Sequence, residues 1–204
     1  MSRRPQAVAA LAVCATLTLT ACNDSPEAGR PDPAPSTSTT TTTTTTPSPT
    51  PTTTWTPEEQ QAIDAATARY KTARAAIDKA LANPTQSSRE PLEAAGLGGE
   101  WLIAAIGDVR SLRNDGWYRS GSVKIASLAV ESVALDSEQP TVQLKSCVDS
   151  AGTSLHFQKD GKPVHVGSKS GRRVAFRAKL VYASPTGKPT KMWFVVEEKG
   201  LGKC

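Results

Sequence analysis

A chain of 204 residues with 24 Lys and Arg against 19 Asp and Glu carries a net charge of +5, and 38% of it is hydrophobic. That is enough chain for one domain with one core. The charge excess is modest: it favours weak attraction to anionic headgroups or wall polymers and does not by itself single out a polyanionic partner.

The first 22 residues fall into three zones: a basic start at Arg3 and Arg4, an apolar stretch from Ala7 to Leu19, and an end of small residues. The apolar stretch is too short to cross a bilayer and has the zoning of an export signal. Its end, Leu19-Thr20-Ala21-Cys22, resembles the lipobox of bacterial lipoproteins. That resemblance implies cleavage before Cys22 and acylation of its thiol, with an ordinary secretory signal as the alternative. Each buried methylene contributes about 0.8 kcal/mol, so two or three acyl chains hold a protein on the bilayer almost permanently. The expected location is the extracytoplasmic face of the cell membrane, where nucleic acid is not an expected partner.

The chain then divides into a signal over 1–21, a lipidated linker over 22–54 and a globular domain over 55–204. From Asn23 to Thr54 the composition turns to Pro, Ser and Thr, with a run of threonines from Thr39 to Thr46. Almost nothing there can be buried to offset ordering entropy, which predicts disorder. The prolines predict an extended tether with a reach of roughly 100 Å, and the composition is also that of O-glycosylated stalks.

Thr56-Pro57-Glu58-Glu59 predicts a helix start, with Thr56 as N-cap, Pro57 at the first helical position and Glu59 completing a capping box. Ile63, Ala66, Tyr70, Ala73, Ile77 and Leu81 follow at spacings of three and four, one apolar stripe. The helix should stop at Asn83-Pro84. A short helical piece is expected over Pro91 to Ala95, then a break at Gly96 to Gly99. A second long helix is expected over Trp101 to Asp115, ended by Gly116, with Trp117 folding back on Leu112. Past Gly121 the period changes to two. Strands are expected over Val123 to Leu135, Thr141 to Val148, Ser154 to Gln158, Val164 to Val166, Arg172 to Tyr182 and Lys191 to Val196. In the fifth of these, Val174, Phe176, Ala178, Leu180 and Tyr182 form the buried face. The last is apolar on both faces, which places it in mid-sheet or under a helix.

Helices followed by a run of strands give an α+β class. With Gly116 and Gly121 leaving the second helix, Cys147-Val148-Asp149 closing a strand, Asp160-Gly161 in a hairpin, Trp193 in the last strand and a terminal Cys204, the chain from Pro57 to Cys204 resembles the NTF2-like superfamily. The resemblance is to actinobacterial lipoproteins in particular, and it implies N-terminal helices packed into the mouth of a curved antiparallel sheet, a cone.

Of the four cysteines, Cys14 would leave with the signal and Cys22 would carry lipid. Cys147 and Cys204 then remain in an oxidising compartment. One disulfide between them follows, worth roughly 4 kcal/mol in the chain-entropy model; the family resemblance implies the same pairing. Two free thiols are the alternative, without a Cys-x-x-Cys spacing.

Superfamily enzymes place an acid or histidine base inside the cone, and no such pattern can be matched here residue by residue. Tyr70, Asp108 and Asp149 are the residues that could line a cone, although Asp149 at a strand end also suits a turn. The two histidines, His156 and His165, would face each other if Asp160-Gly161 were a two-residue turn. Such a pair could grip a metal ion or repel on protonation, yet with no third ligand no metal and no other cofactor is expected. Arg172, Arg173, Arg177 and Lys179 would form a basic strip on one sheet face, either a contact for anionic surfaces or a guard against edge pairing. There is no phosphate-binding glycine loop, no serine-histidine-aspartate spacing and no zinc cysteine pattern. The leading expectation is a non-catalytic binding or accessory domain on a lipid tether, its partner a wall polymer, an apolar ligand or a protein. A small cyclase or isomerase using the cone as its pocket is the second. A structural surface protein, including a phage-encoded lipoprotein that blocks further infection, is the third.

Overall fold

A computed structural model describes residues 54–165, 173–185 and 187–204. The expectations for Cys22, the signal and the tether, along with those for Val166 and Arg172, lie outside these residues.

Helix α1 (Pro57–Ala82) begins where the sequence places it. Thr56 Oγ1 accepts from the Glu59 amide at 3.2 Å, and the Thr56 amide donates to the Glu59 carboxylate at 2.8 Å. It buries Ile63, Ala66, Tyr70, Ala73 and Leu81 and stops at Asn83. After a short α2 (Arg89–Ala94), α3 (Gly99–Asp115) buries Trp101, Leu102, Ala105 and Val109. It ends at Gly116, whose φ of 68° is left-handed and whose amide caps back to Arg113 and Leu112. Such a residue lets the chain leave a helix without a Cβ clash.

The strands are β1 (Trp117–Ser120), β2 (Lys124–Ala134), β3 (Thr141–Asp149), β4 (Ser154–Phe157), β5 (Arg173–Ala183) and β6 (Met192–Lys203). They form an antiparallel sheet in the order β2-β3-β5-β6 and a separate antiparallel pair β1-β4. The fold is α+β with an open sheet, not closed into a barrel. The helices lie on one sheet face, over a core that includes Tyr70, Leu97, Trp101, Val142, Leu144, Leu180 and Val195. Register shifts at Ala126 and Glu131 in β2 and at Val196 and Leu201 in β6 insert bulges, which bend and twist a sheet.

Three sequence expectations change. Trp117 starts a strand that periodicity did not reveal, and its ring meets Phe157 edge-on at 6.3 Å between centroids. Val164 and His165 are not in a strand; Pro163 makes an isolated bridge to His156. Strand β6, expected in mid-sheet or under a helix, takes the second of these places: it is the edge strand, packed under α1 and α3, with the α2–α3 connection along its free edge. There the Gly98 amide donates to Val195 O at 2.9 Å and the Val195 amide to Gly96 O at 2.8 Å. Tyr182, expected on the buried face of β5, is 36% exposed and leans on Trp193.

Gly121 holds φ at 79°, and a Cβ there would lie 2.0 Å from Gly152 O. Only glycine lets the β1–β2 turn pass this close to the β3–β4 turn.

Cys147 and Cys204 form a disulfide with Cα atoms 5.9 Å apart. Cys147 pairs with Ala175 and Ala175 with Gly202. The two strands that the bridge joins are therefore separated by β5, and the last residues must curl over the small side chain of Ala175. Replacing both cysteines by serine should lower the unfolding free energy by roughly 2–4 kcal/mol, read from urea midpoints. An unchanged midpoint would show that the C-terminal end is held by the sheet alone.

Candidate functional site

Along α1, Tyr70, Arg74 and Asp78 recur every four residues, so they stand above one another on one side of the helix. On the inner sheet face, Leu144 pairs with Ala178 and Ala178 with Glu198, while Ser146 pairs with Phe176. Packing the helix on the sheet brings Tyr70, Arg74, Ser146 and Glu198 into one buried cluster.

The cluster is saturated at its centre. The Tyr70 hydroxyl donates to Glu198 Oε1 at 2.8 Å, lies 2.8 Å from Ser146 Oγ and accepts from Arg74 Nε at 3.2 Å. One proton and two lone pairs are all a phenol has, so Ser146 must be the donor in its pair. Arg74 Nη2 closes the ring on the same Glu198 oxygen. The Arg74 and Glu198 side chains are 13% and 5% exposed, so this ion pair is screened little by solvent. The guanidinium also stands 5.0 to 5.6 Å from the ring centroids of Phe176, Trp101 and Tyr70, a three-sided aromatic surround. Burial pushes the Tyr70 phenol up to about 12 from its usual 10, with Arg74 pulling it down and Glu198 pushing it up.

One turn on, buried Asp78 joins the β1–β2 region. Its Oδ1 pairs with Arg119 Nη2, and its Oδ2 accepts from the Val123 amide at 3.1 Å. Desolvation pushes the Asp78 carboxyl up despite Arg119, and the same desolvation pushes the Arg119 guanidinium down. Both shifts run against the charged forms, so burial outweighs attraction in this pair. Arg119 Nε is buried without a partner. Above the two clusters an open groove of about 450 Å³ runs between α1 and the stretch from Gly121 to Ile125, edged by Lys71, Arg74 and Lys79.

The sequence-predicted residues separate. Tyr70 is in the cluster. Asp108 is exposed on α3 near Arg119, and its carboxyl is raised by desolvation against the pull of that guanidinium. Asp149 is a turn residue: its Oδ1 accepts from the Ala151 amide at 2.8 Å and its Oδ2 from Arg173 Nε at 2.9 Å. Those two bonds, the amide first, hold its carboxyl below the usual range. It does not join Tyr70.

His156 and His165 do not oppose one another. The Phe157 amide donates to Lys162 O at 2.9 Å and the Val164 amide to Leu155 O at 2.9 Å, so the turn holds four residues and His156 faces Pro163. His156 stacks on Tyr118 at 5.3 Å and bonds Ser120 Oγ and Gly161 O, which uses both ring nitrogens. Among the described residues no three His, Cys, Asp or Glu side chains gather as metal ligands.

The expected basic strip carries acids that the strand pattern hid. Arg177 engages Glu131 through Nε and Nη2, Arg173 engages Asp149, and Lys179 sits opposite Glu197. Such exposed pairs add little to stability, but they set a carboxylate beside each of these three cations.

No family model matches the chain, and no curated protein matches it. Among solved structures, the intermembrane space region of the chloroplast protein ARC6 is similar at a TM-score of 0.46 and 13% identity, over 71% of this chain and 97% of that one. A likeness that distant carries no functional argument.

Because the folded state holds the Tyr70 proton longer than an unfolded chain would, this group's contribution to stability is intact below pH 10 and is lost as the pH rises towards 12. Absorbance at 295 nm should therefore show an ionisation step near pH 12. Tyr70→Phe should remove that step, and a titration unaltered by the substitution would place the buried phenol elsewhere.

Proposed function

We propose that the chain is a membrane-anchored extracytoplasmic lipoprotein whose domain, an α+β fold of the NTF2-like kind, binds a partner and does not catalyse. The observation that carries the non-catalytic half is the saturation of Tyr70. A superfamily enzyme needs a buried base with a lone pair facing its substrate. The buried carboxylate beside this tyrosine, Glu198, is neutralised by Arg74 and accepts from the tyrosine itself. That carboxylate is used to hold helix to sheet, and the surface is left for partners.

Support for the location comes from the two ends of the chain. Leu19-Thr20-Ala21-Cys22 has the spacing of a lipidation signal, and the Cys147–Cys204 bridge suits an oxidising compartment. A tether rich in threonine and proline between them would let the domain reach wall polymers or proteins away from the bilayer.

The second reading, a small enzyme, is favoured by two features: a carboxylate 5% exposed and a phenol 2.8 Å apart, and the buried Asp78 on the wall of the groove. The first requires Arg74 to leave Glu198, against both the ion pair and the aromatic surround.

Cells fed labelled palmitate should incorporate it into the wild-type protein and not into Cys22→Ser, and the variant should move from the membrane fraction to the medium. Equal labelling of both proteins, or none in either, would overturn the anchoring.

A further inference from the structure

Between α2 and the C-terminal half of α3 lies a second cleft, of about 310 Å³. Its floor is apolar: Leu92 and Val109 are buried and Ile106 is half-buried. Its rim is made of guanidinium groups, from Arg89, Arg110 and Arg113, and among the described residues no carboxylate lines it.

The three arginines differ in what balances them. Arg89 is paired with Glu93 at 2.7 Å, so its charge is largely answered. Arg113 is held by backbone instead: Nε and Nη2 donate to Pro84 O at 2.9 and 2.6 Å, and Nη2 donates to Ser87 O at 2.9 Å. Carbonyl groups fix a guanidinium without cancelling its charge. These bonds use three of its five N–H groups and leave the two on Nη1. Arg110 stands one helical turn earlier on the same face, exposed and without an ion-pair partner among the described residues. Two uncompensated cations, one of them locked in place, flank an apolar floor. Like charges this close repel, and an anion between them would relieve the repulsion.

We infer that this cleft binds an amphiphilic phosphate ester, the phosphate on Arg110 and Arg113 and the attached apolar group on Leu92, Ile106 and Val109. Arg110 presents its planar guanidinium fork to phosphate oxygens, Arg113 adds the two N–H groups left on Nη1, and two such cations answer a charge that one would leave half-balanced. The floor supplies what inorganic phosphate cannot use, so the ligand carries a hydrocarbon part. The cleft is separate from the Tyr70 cluster, and its ligand does not depend on how the chain is anchored.

The test uses the full chain carrying Cys22→Ser, titrated with octyl phosphate, inorganic phosphate, octyl glucoside and vesicles containing phosphatidylglycerol, and followed by calorimetry and amide NMR. Octyl phosphate should bind about tenfold more tightly than either inorganic phosphate or octyl glucoside, a difference of about 1.4 kcal/mol. The shifted amides should cluster at Leu92, Ile106 and Val109. Arg110→Gln, an exposed position whose replacement leaves the core untouched, should weaken octyl phosphate by a similar factor at an unchanged melting temperature. Arg110-dependent vesicle binding would identify a lipid headgroup as the source of the phosphate, and binding of octyl phosphate without the vesicles would identify a free amphiphile. The inference is overturned if octyl phosphate binds no better than octyl glucoside, if Arg110→Gln binds it as well as wild type, or if the shifted amides lie elsewhere.

Discussion

The contact between Arg74 and Glu198, closed by Tyr70 and Ser146, is the constraint on which the arrangement of helix and sheet rests. It lies on the buried side of α1, over β3, β5 and β6, and its members come from three elements: α1 for Tyr70 and Arg74, β3 for Ser146, β6 for Glu198. Apolar packing alone is tolerant of small slides between a helix and a sheet. A buried ion pair is not, because a displaced charge in this setting loses solvent and partner together. The cluster therefore selects one placement of α1 among several that would bury similar area. The aromatic rings of Trp101 and Phe176 around the guanidinium extend the same constraint to α3 and β5.

The second buried pair, Asp78 with Arg119, has a different balance. Its charges are shifted against ionisation on both sides, so it contributes orientation more than free energy. It ties the small β1-β4 sheet to the helix layer beside the groove. The outer face of the main sheet is handled more cheaply, by exposed pairs such as Arg177 with Glu131 that blunt a run of like charge. Neither kind of polar device reaches the arginine-rimmed cleft, where Arg110 has no ion-pair partner among the described residues.

Local signals in the sequence were legible where one residue does one thing. Thr56 and Glu59 mark a helix start, Asn83-Pro84 and Gly116 mark helix ends, and alternation marks β3 and β5. The α+β order follows from these. Long-range pairing was not legible, for reasons that can be named. Glu198 points inward only because the extra residue at Val196 reverses the alternation set by Trp193 and Val195, and a bulge leaves no mark in a period-two pattern. The His156 register failed because a four-residue turn replaced the two-residue turn that Asp160-Gly161 suggested. Arg74 was visible one turn from Tyr70, but nothing in the chain ties it to a carboxylate 124 residues away. Ser146, a hydroxyl at an inward position between Leu144 and Val148, was the one clue that a polar partner was waiting inside.

The most direct measurement is a double-mutant cycle on Arg74→Met and Glu198→Gln, with unfolding free energies from urea titration. If the buried pair positions the helix, each single substitution should cost about 3–5 kcal/mol and the double should cost less than the sum by at least about 2 kcal/mol. Singles within about 0.5 kcal/mol of wild type, adding without interaction, would mean that hydrophobic packing places α1 and the ion pair only follows.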